Sequence, residues 1–149
     1  QCDWSSDVCS SDLDMMFEAR TAIEPHAAAL AAKKATRRDL ATIRRAYEDM
    51  AAARNPKESI EPDLRFHQAI MDATHNDVIR YMGHTLHKAL ALSIQLTSWN
   101  NQILADSLPR HEAIYLAIAA RKGKAAMEAT MALLKASRRD FDTKHKSEH

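Results

Sequence analysis

Glycine is scarce in this sequence, and its scarcity excludes a class of site. Two of the 149 residues are glycine. A loop that cradles a phosphate needs several glycines, so the composition argues against a P-loop or a Rossmann nucleotide site. The patterns GxSxG and HExxH are absent as well, and no other catalytic constellation replaces them. We therefore predict that the chain is not an enzyme.

Cysteine occurs only near the start of the chain, at Cys2 and Cys9. The sequence from Asp14 onward therefore has no thiol for a disulfide, a nucleophile or a zinc site. The segment 3–13 repeats a Ser-Ser-Asp pattern, shows no helical periodicity and resembles a translated sequencing adapter. We predict that residues 1–13 are a non-native, disordered tail and that the natural protein began upstream.

Long apolar runs and alternating strand patterns are also lacking. No run approaches the roughly 20 residues that a membrane-spanning helix needs, and the N-terminus has no secretory signal. The formal net charge is +1, and basic pairs lie among acidic residues, which is more typical of solvated helix faces than of a nucleic-acid stripe. We predict a cytoplasmic protein that has no membrane partner.

Helix-forming residues, by contrast, are abundant, with Ala, Leu, Met, Arg, Lys and Glu dominating the sequence. Apolar residues at a spacing of three and four predict helices at 15–34, 36–54, 60–74, 76–97, 107–121 and 124–141, with a polar loop at 98–106. Thr36, Asn76 and Ser107 are predicted N-caps, and Lys122-Gly123 is a predicted helix stop. Because the connections are short, we predict an all-α, antiparallel bundle of six to seven helices that frays at 144–149.

Asp63 and His67 are the first candidates for a metal site, because residues four apart leave the same face of a helix. An oxygen and a nitrogen ligand at this spacing make half of a site, although a plain surface or capping interaction has the same pattern. His111 lies at the border of the buried face of the fifth predicted helix. It is either a third ligand or a partly buried, hydrogen-bonded histidine.

Arg20 and Glu24 are four apart on the first predicted helix. They form either an ordinary ion pair within the helix or a clamp in which Glu24 holds the guanidinium for a bound carboxylate. The spacing of the two residues alone does not distinguish the ion pair from the carboxylate clamp.

Three segments together resemble the FCD domain, the C-terminal effector-binding domain of GntR-type, FadR-like bacterial transcription regulators. They are FEARTAIEPHAAALAAKKATRRDL, DLRFHQAIMDATHN and SLPRHEAIYLAIAARKGKAAMEATM. The resemblance implies that residues 14–143 form a ligand-binding and dimerisation domain. It also implies a homodimer, and operator DNA bound only through an N-terminal winged helix-turn-helix that this sequence lacks.

The resemblance also implies a divalent metal, Zn²⁺, Ni²⁺ or Mn²⁺, that helps to bind a carboxylate effector. Asp63, His67 and His111 match three ligand positions of the family, and Arg20 matches its cavity arginine. The fourth ligand, a histidine in the family, falls at Leu133 here, which should weaken metal binding.

The segment ALALSIQLTSWN resembles the subgroup that senses sugar acids, which implies effector contacts from Ser93, Thr97 and Trp99. The sequence thus predicts an effector-sensing, dimerising domain of a transcription regulator that binds a small carboxylate. The alternatives are a metal-dependent helical enzyme and a structural dimerisation bundle with a vestigial site.

Overall fold

A computed structural model describes residues 10–97 and 100–147, apart from some side chains within the helices at 10–11, 88, 93, 96–97 and 144–147. This part of the chain forms six helices and contains no strand. The helices are α1 (Ser10–Lys34), α2 (Arg37–Ala51), α3 (Pro56–Asp72), α4 (Asp77–Thr97), α5 (Asn101–Ala119) and α6 (Gly123–Ser147). The all-α prediction is confirmed.

Side-chain caps begin four of these helices. Thr36 and Asp39 form a capping box, in which each side chain bonds the other residue's backbone N–H. Asn55, Asn76 and Asn100 cap α3, α4 and α5 in the simpler way, each accepting a backbone N–H of the first turn. Thr36 and Asn76 are the N-caps that the sequence predicts.

α1 begins at Ser10, inside the segment predicted to be a disordered tail, and this boundary is corrected. Leu13 is 1% exposed and packs with Met16 and Phe141. Asp14 forms an ion pair with Arg138 of α6. The helix extends toward the N-terminus because α6 offers it a partner, and α6 itself remains helical through Ser147, within the predicted frayed end.

α5 begins at Asn101, so the predicted loop at 98–106 is helical from residue 101 onward. The cap is Asn100, whose side-chain oxygen accepts the N–H of Ile103 at 2.8 Å. Ser107, the predicted cap, instead donates its hydroxyl to the carbonyl of Leu104. The apolar side chain of Leu104 is buried in the bundle, which favours helix over loop.

α5 ends in a Schellman motif centred on Arg121, not on the predicted Gly123. Arg121 has a φ of 63°, and the N–H groups of Arg121 and Lys122 donate to the carbonyls of Ile118 and Ala117. Gly123 is the first residue of α6 and serves another purpose. A Cβ there would lie 3.3 Å from the carbonyl oxygen of Ala29, so glycine lets α6 approach α1 closely.

The core lies where α1, α2, α3, α5 and α6 meet. Phe66, Ile43, Ile114 and Ile118 are fully buried there. α1 contributes Ala28, Ala31 and Ala32, and Ala35 follows directly after its last residue. The small side chains of these alanines allow neighbouring helices to pack closely. Within the described residues, no helix is long and apolar enough to cross a membrane.

Candidate metal and effector site

Five polar residues from three helices meet inside the bundle. α3 supplies Asp63 and His67, α5 supplies His111, and α1 supplies Arg20 and Glu24. Each is at most 7% exposed. Groups of this polarity are buried at a high free-energy cost unless they pair or bind a ligand. The structure therefore brings together the three predicted metal ligands and the predicted carboxylate clamp.

The carboxylate of Asp63 is the centre of the ligand set. Its Oδ1 lies 3.1 Å from Nε2 of His67 and 3.3 Å from Nε2 of His111. One ligand atom from each of the three residues lies within 4.8 Å of the others. Two imidazole nitrogens and a carboxylate repel one another at these distances unless a proton or a cation lies among them. A three-ligand N₂O set of this kind suits Zn²⁺, Ni²⁺ or Mn²⁺ and leaves coordination positions open.

A protein oxygen atom lies within hydrogen-bond distance of Nδ1 in both imidazole rings. Nδ1 of His67 lies 3.1 Å from Oε2 of Glu24, and Nδ1 of His111 lies 2.9 Å from the carbonyl oxygen of Ser107. With Nδ1–H donating to these acceptors, Nε2 of each ring faces Asp63. Hydrogen bonds of this type orient metal-binding histidines and raise their basicity. The donor set and its supporting bonds therefore fit a divalent metal.

The charges in the cluster stabilise one another strongly. Burial by itself would raise the pKa of Glu24, but Arg20 and His67 outweigh it and hold this pKa at about 2. Burial would likewise lower the pKa of His67, but Glu24 and Asp63 raise it to about 9. The pKa of Asp63 lies well below its usual range, because His111 and His67 outweigh its burial. Without a metal, the positive charge of protonated His67 thus balances the neighbouring carboxylates of Glu24 and Asp63.

A small cavity adjoins the ligand set. Its volume is about 20 Å³, which is room for a water molecule or an ion. The described residues that line it are Arg20, Asp63, His67, Ile94, Ile103, Ser107, His111, Leu133, Ser137 and Asp140. Leu133 is thus on the cavity wall, where the resemblance places the missing fourth ligand, and its side chain has no donor atom. An organic ligand would need the walls to separate.

The side chains of three predicted effector contacts lie outside the described part of the chain. Ser93 and Thr97 belong to α4, but their side chains lie outside the described part of the chain, as does the whole of Trp99. Sequence reasoning missed Ser137 and Asp140 on α6. Both follow Leu133 at helical spacing, so the position of the missing ligand was a signal that would have found them.

A larger groove on the surface is a poorer candidate. It has a volume of about 750 Å³, lies between α2 and α3 and is open to solvent. Of its charged side chains, Arg44 pairs with Glu48 within the groove, and Arg65 pairs with Glu61 beside it. Such pairs are typical of a solvated surface, and we therefore assign no ligand to this groove.

Comparison with known proteins gives consistent matches. The family model of the FCD domain matches residues 15–136. The chain is 30% identical over 129 residues to the galactonate operon transcriptional repressor of Escherichia coli K12, covering 85% of this chain and 56% of the repressor. It is also 30% identical over 129 residues to the HTH-type transcriptional regulator LutR of Bacillus subtilis 168, covering 83% and 59%. The chain therefore spans little more than half the length of either relative.

Solved structures show the same fold at lower sequence identity. Streptococcus agalactiae GntR superposes with a TM-score of 0.74 at 23% identity, covering 89% of this chain and 61% of that one. E. coli McbR/YncC superposes with a TM-score of 0.79 at 17% identity, covering 93% and 71%. Both curated relatives are named as transcription regulators, which agrees with the prediction that the chain is not an enzyme.

Proposed function

The chain belongs to the FCD domain family, and on that premise we propose that it is the effector-sensing and dimerisation domain of a GntR-type transcription regulator. The resemblance seen in the sequence is confirmed at the level of the family. The observation that carries the proposal is the buried Asp63, His67 and His111 set beside Arg20. Its ligand is a small carboxylate, bound with the help of Zn²⁺, Ni²⁺ or Mn²⁺.

Two cationic centres would hold the carboxylate. Arg20 lines the cavity, and its planar guanidinium can bind a carboxylate through two parallel hydrogen bonds. A divalent cation held by Asp63, His67 and His111 would supply positive charge and open coordination positions for the same ligand. Together they favour an anion in a site from which water is largely excluded.

The part of the cavity wall formed by α6 favours a ligand that carries hydroxyl groups. Ser137 and Asp140 line it from α6, and a carboxylate such as Asp140 accepts hydrogen bonds from hydroxyls but repels a second anionic group. A hydroxylated monocarboxylate, such as a sugar acid, fits this polarity better than a dicarboxylate. The relative named for galactonate supports this class of ligand. Ser93 and Thr97 remain proposed as further contacts.

Effector binding would be transmitted through the helices that form the cavity. A sugar acid is larger than the 20 Å³ cavity, so Ile94 of α4 and Ile103 of α5 would move away from the α1–α3 core. A ligand that binds such an opened form shifts the population toward it. In the intact regulator, a homodimer, this shift would change how N-terminal winged helix-turn-helix domains are spaced on operator DNA.

Thermal unfolding tests the proposal. The protein is melted with EDTA, with Ni²⁺ or Zn²⁺, and with each metal plus galactonate, gluconate or acetate. A ligand at about 100 times its Kd stabilises by about 2.7 kcal/mol, or roughly 5–10 °C for a chain of this length.

Matched variants locate the effect. We expect His67→Ala and Arg20→Ala to abolish the stabilisation by metal plus sugar acid. The control variants His84→Ala and Arg45→Ala, which each change an exposed residue, should retain it. No stabilisation of the wild type by any metal or acid would contradict the proposal, and stabilisation that survives in His67→Ala would place the ligand elsewhere.

A further inference from the structure

Glu24 contacts both halves of the proposed site at once. Its Oε1 accepts a hydrogen bond from Nε of Arg20 at 2.7 Å. Its Oε2 lies 3.3 Å from Nη2 of Arg20 and 3.1 Å from Nδ1 of His67. Glu24 is 5% exposed and is not among the described residues that line the cavity beside the metal ligands. It therefore sits behind the site and not in it.

The bond to His67 determines how that ring faces the metal position. A histidine has two ring nitrogens, and the acceptor on one of them decides which nitrogen points at a ligand. With Nδ1 held by Glu24, Nε2 is directed at Asp63 at 3.1 Å. The bond also fixes the rotation of the ring and increases the basicity of Nε2 toward a metal.

The bond to Arg20 determines how the guanidinium faces the cavity. Glu24 uses the edge formed by Nε and Nη2. A guanidinium is planar with donors in fixed directions, so holding this edge sets the direction of the rest of the group. Since Arg20 lines the cavity, the end that a carboxylate would use is positioned before the ligand arrives.

From these contacts, and resting on the function proposed above, we infer that Glu24 is a positioning residue that couples metal binding at His67 to carboxylate binding at Arg20. Glu24 itself would contact neither the metal nor the bound carboxylate. Because one carboxylate holds both groups in their binding orientations, a ligand that stabilises Glu24 in this position from one half also stabilises it for the other. Coupling of this kind is reciprocal, so metal strengthens carboxylate binding by the same factor as carboxylate strengthens metal binding.

Two variants of Glu24 separate positioning from simple charge. Glu24→Gln removes the negative charge and weakens both contacts. Glu24→Asp keeps the charge but is one methylene shorter, so it cannot hold Arg20 and His67 together from the same place on α1. Glu18→Gln is the matched control, because Glu18 lies on the same helix and is exposed.

The experiment is a calorimetric titration of Ni²⁺ into the wild type and these variants, each first shown by circular dichroism to be folded. Every titration is repeated with saturating galactonate. Loss of a hydrogen-bond partner behind a metal-binding histidine typically weakens metal binding by about 10- to 100-fold. We expect a loss of this size in both Glu24→Gln and Glu24→Asp, together with loss of the galactonate effect, and none in Glu18→Gln. If Glu24→Gln does not fold, the Glu24→Asp titration decides alone.

The outcomes distinguish this inference from the function on which it rests. Wild-type affinity in Glu24→Asp would show that charge alone matters and would overturn the positioning role. Wild-type affinity in both Glu24 variants would overturn it as well, while leaving the proposed metal site intact. A wild type that takes up no Ni²⁺ would refute the metal in the proposed function and this inference with it.

Discussion

A histidine at residue 133, where the resemblance to the family places a fourth metal ligand, is the sharpest perturbation that the structure offers. Leu133 is 3% exposed and lines the cavity beside Asp63, His67 and His111. We predict that Leu133→His completes a four-ligand set and strengthens metal binding by about tenfold or more, which is at least about 1.4 kcal/mol. Four protein ligands are typical of structural metal sites, whereas three leave the site open.

The same substitution should weaken the protein when no metal is present. Burying a leucine side chain contributes about 1.5–3 kcal/mol, and an imidazole left without a partner adds a penalty of about 1–3 kcal/mol. Together these terms come to about 2.5–6 kcal/mol, so the metal-free variant should melt roughly 5–24 °C below the wild type. Metal should recover most of that loss, so the effect of metal on the melting temperature should be larger in the variant than in the wild type.

The assay is thermal unfolding in EDTA and in Ni²⁺, combined with calorimetric titration of Ni²⁺. Leu134→His is the matched control, because Leu134 is 2% exposed but is not among the described residues that line the cavity. It should lose stability with and without metal. Equal responses of the two variants to Ni²⁺ would refute the placement of residue 133 beside the metal position.

Two further predictions test the fold that supports the site. Leu13→Ala should destabilise the protein by about 2–5 kcal/mol in urea denaturation, because Leu13 is buried against Met16 and Phe141; a change within error would show that the start of α1 does not pack on α6. Asp39→Asn should lower stability by about 1 kcal/mol through loss of the capping box. Burial would raise the pKa of Asp39, but hydrogen bonds from Thr36 and His75 hold it below its ordinary value of 3.8. Stability from this group is therefore present above pH 3.8 and is lost as the pH falls through the lower folded-state pKa. The difference between wild type and Asp39→Asn should accordingly shrink in urea denaturation at about pH 3, and an undiminished difference there would contradict this assignment.

Local patterns predicted the helices well where their ends carry their own signals. Thr36 and Asn76 cap the helices that the sequence assigns to them, because a capping side chain acts within one turn. The start of α5 was missed because polar residues after Asn100 look like a loop, and their helix depends on the burial of Leu104. The start of α1 was missed because Leu13 gains its partner from α6, far away in the sequence.

The site shows the same division between local and distant information. The spacing of Asp63 and His67 places them on one helix face, and the resemblance to the family adds His111. The bond between Glu24 and His67 joins two helices, and the i, i+4 spacing of Arg20 and Glu24 gives no sign of it. The size of the cavity is equally a property of packing, since Ile94 and Ile103 close it from two further helices.

Anomalous diffraction at the nickel edge, from crystals grown with Ni²⁺ and galactonate, would locate the proposed metal and its ligand together. We expect one strong peak among Asp63, His67 and His111, with the ligand carboxylate between this peak and Arg20. A peak only at surface histidines such as His84 and His87, with no ligand beside Arg20, would contradict this expectation.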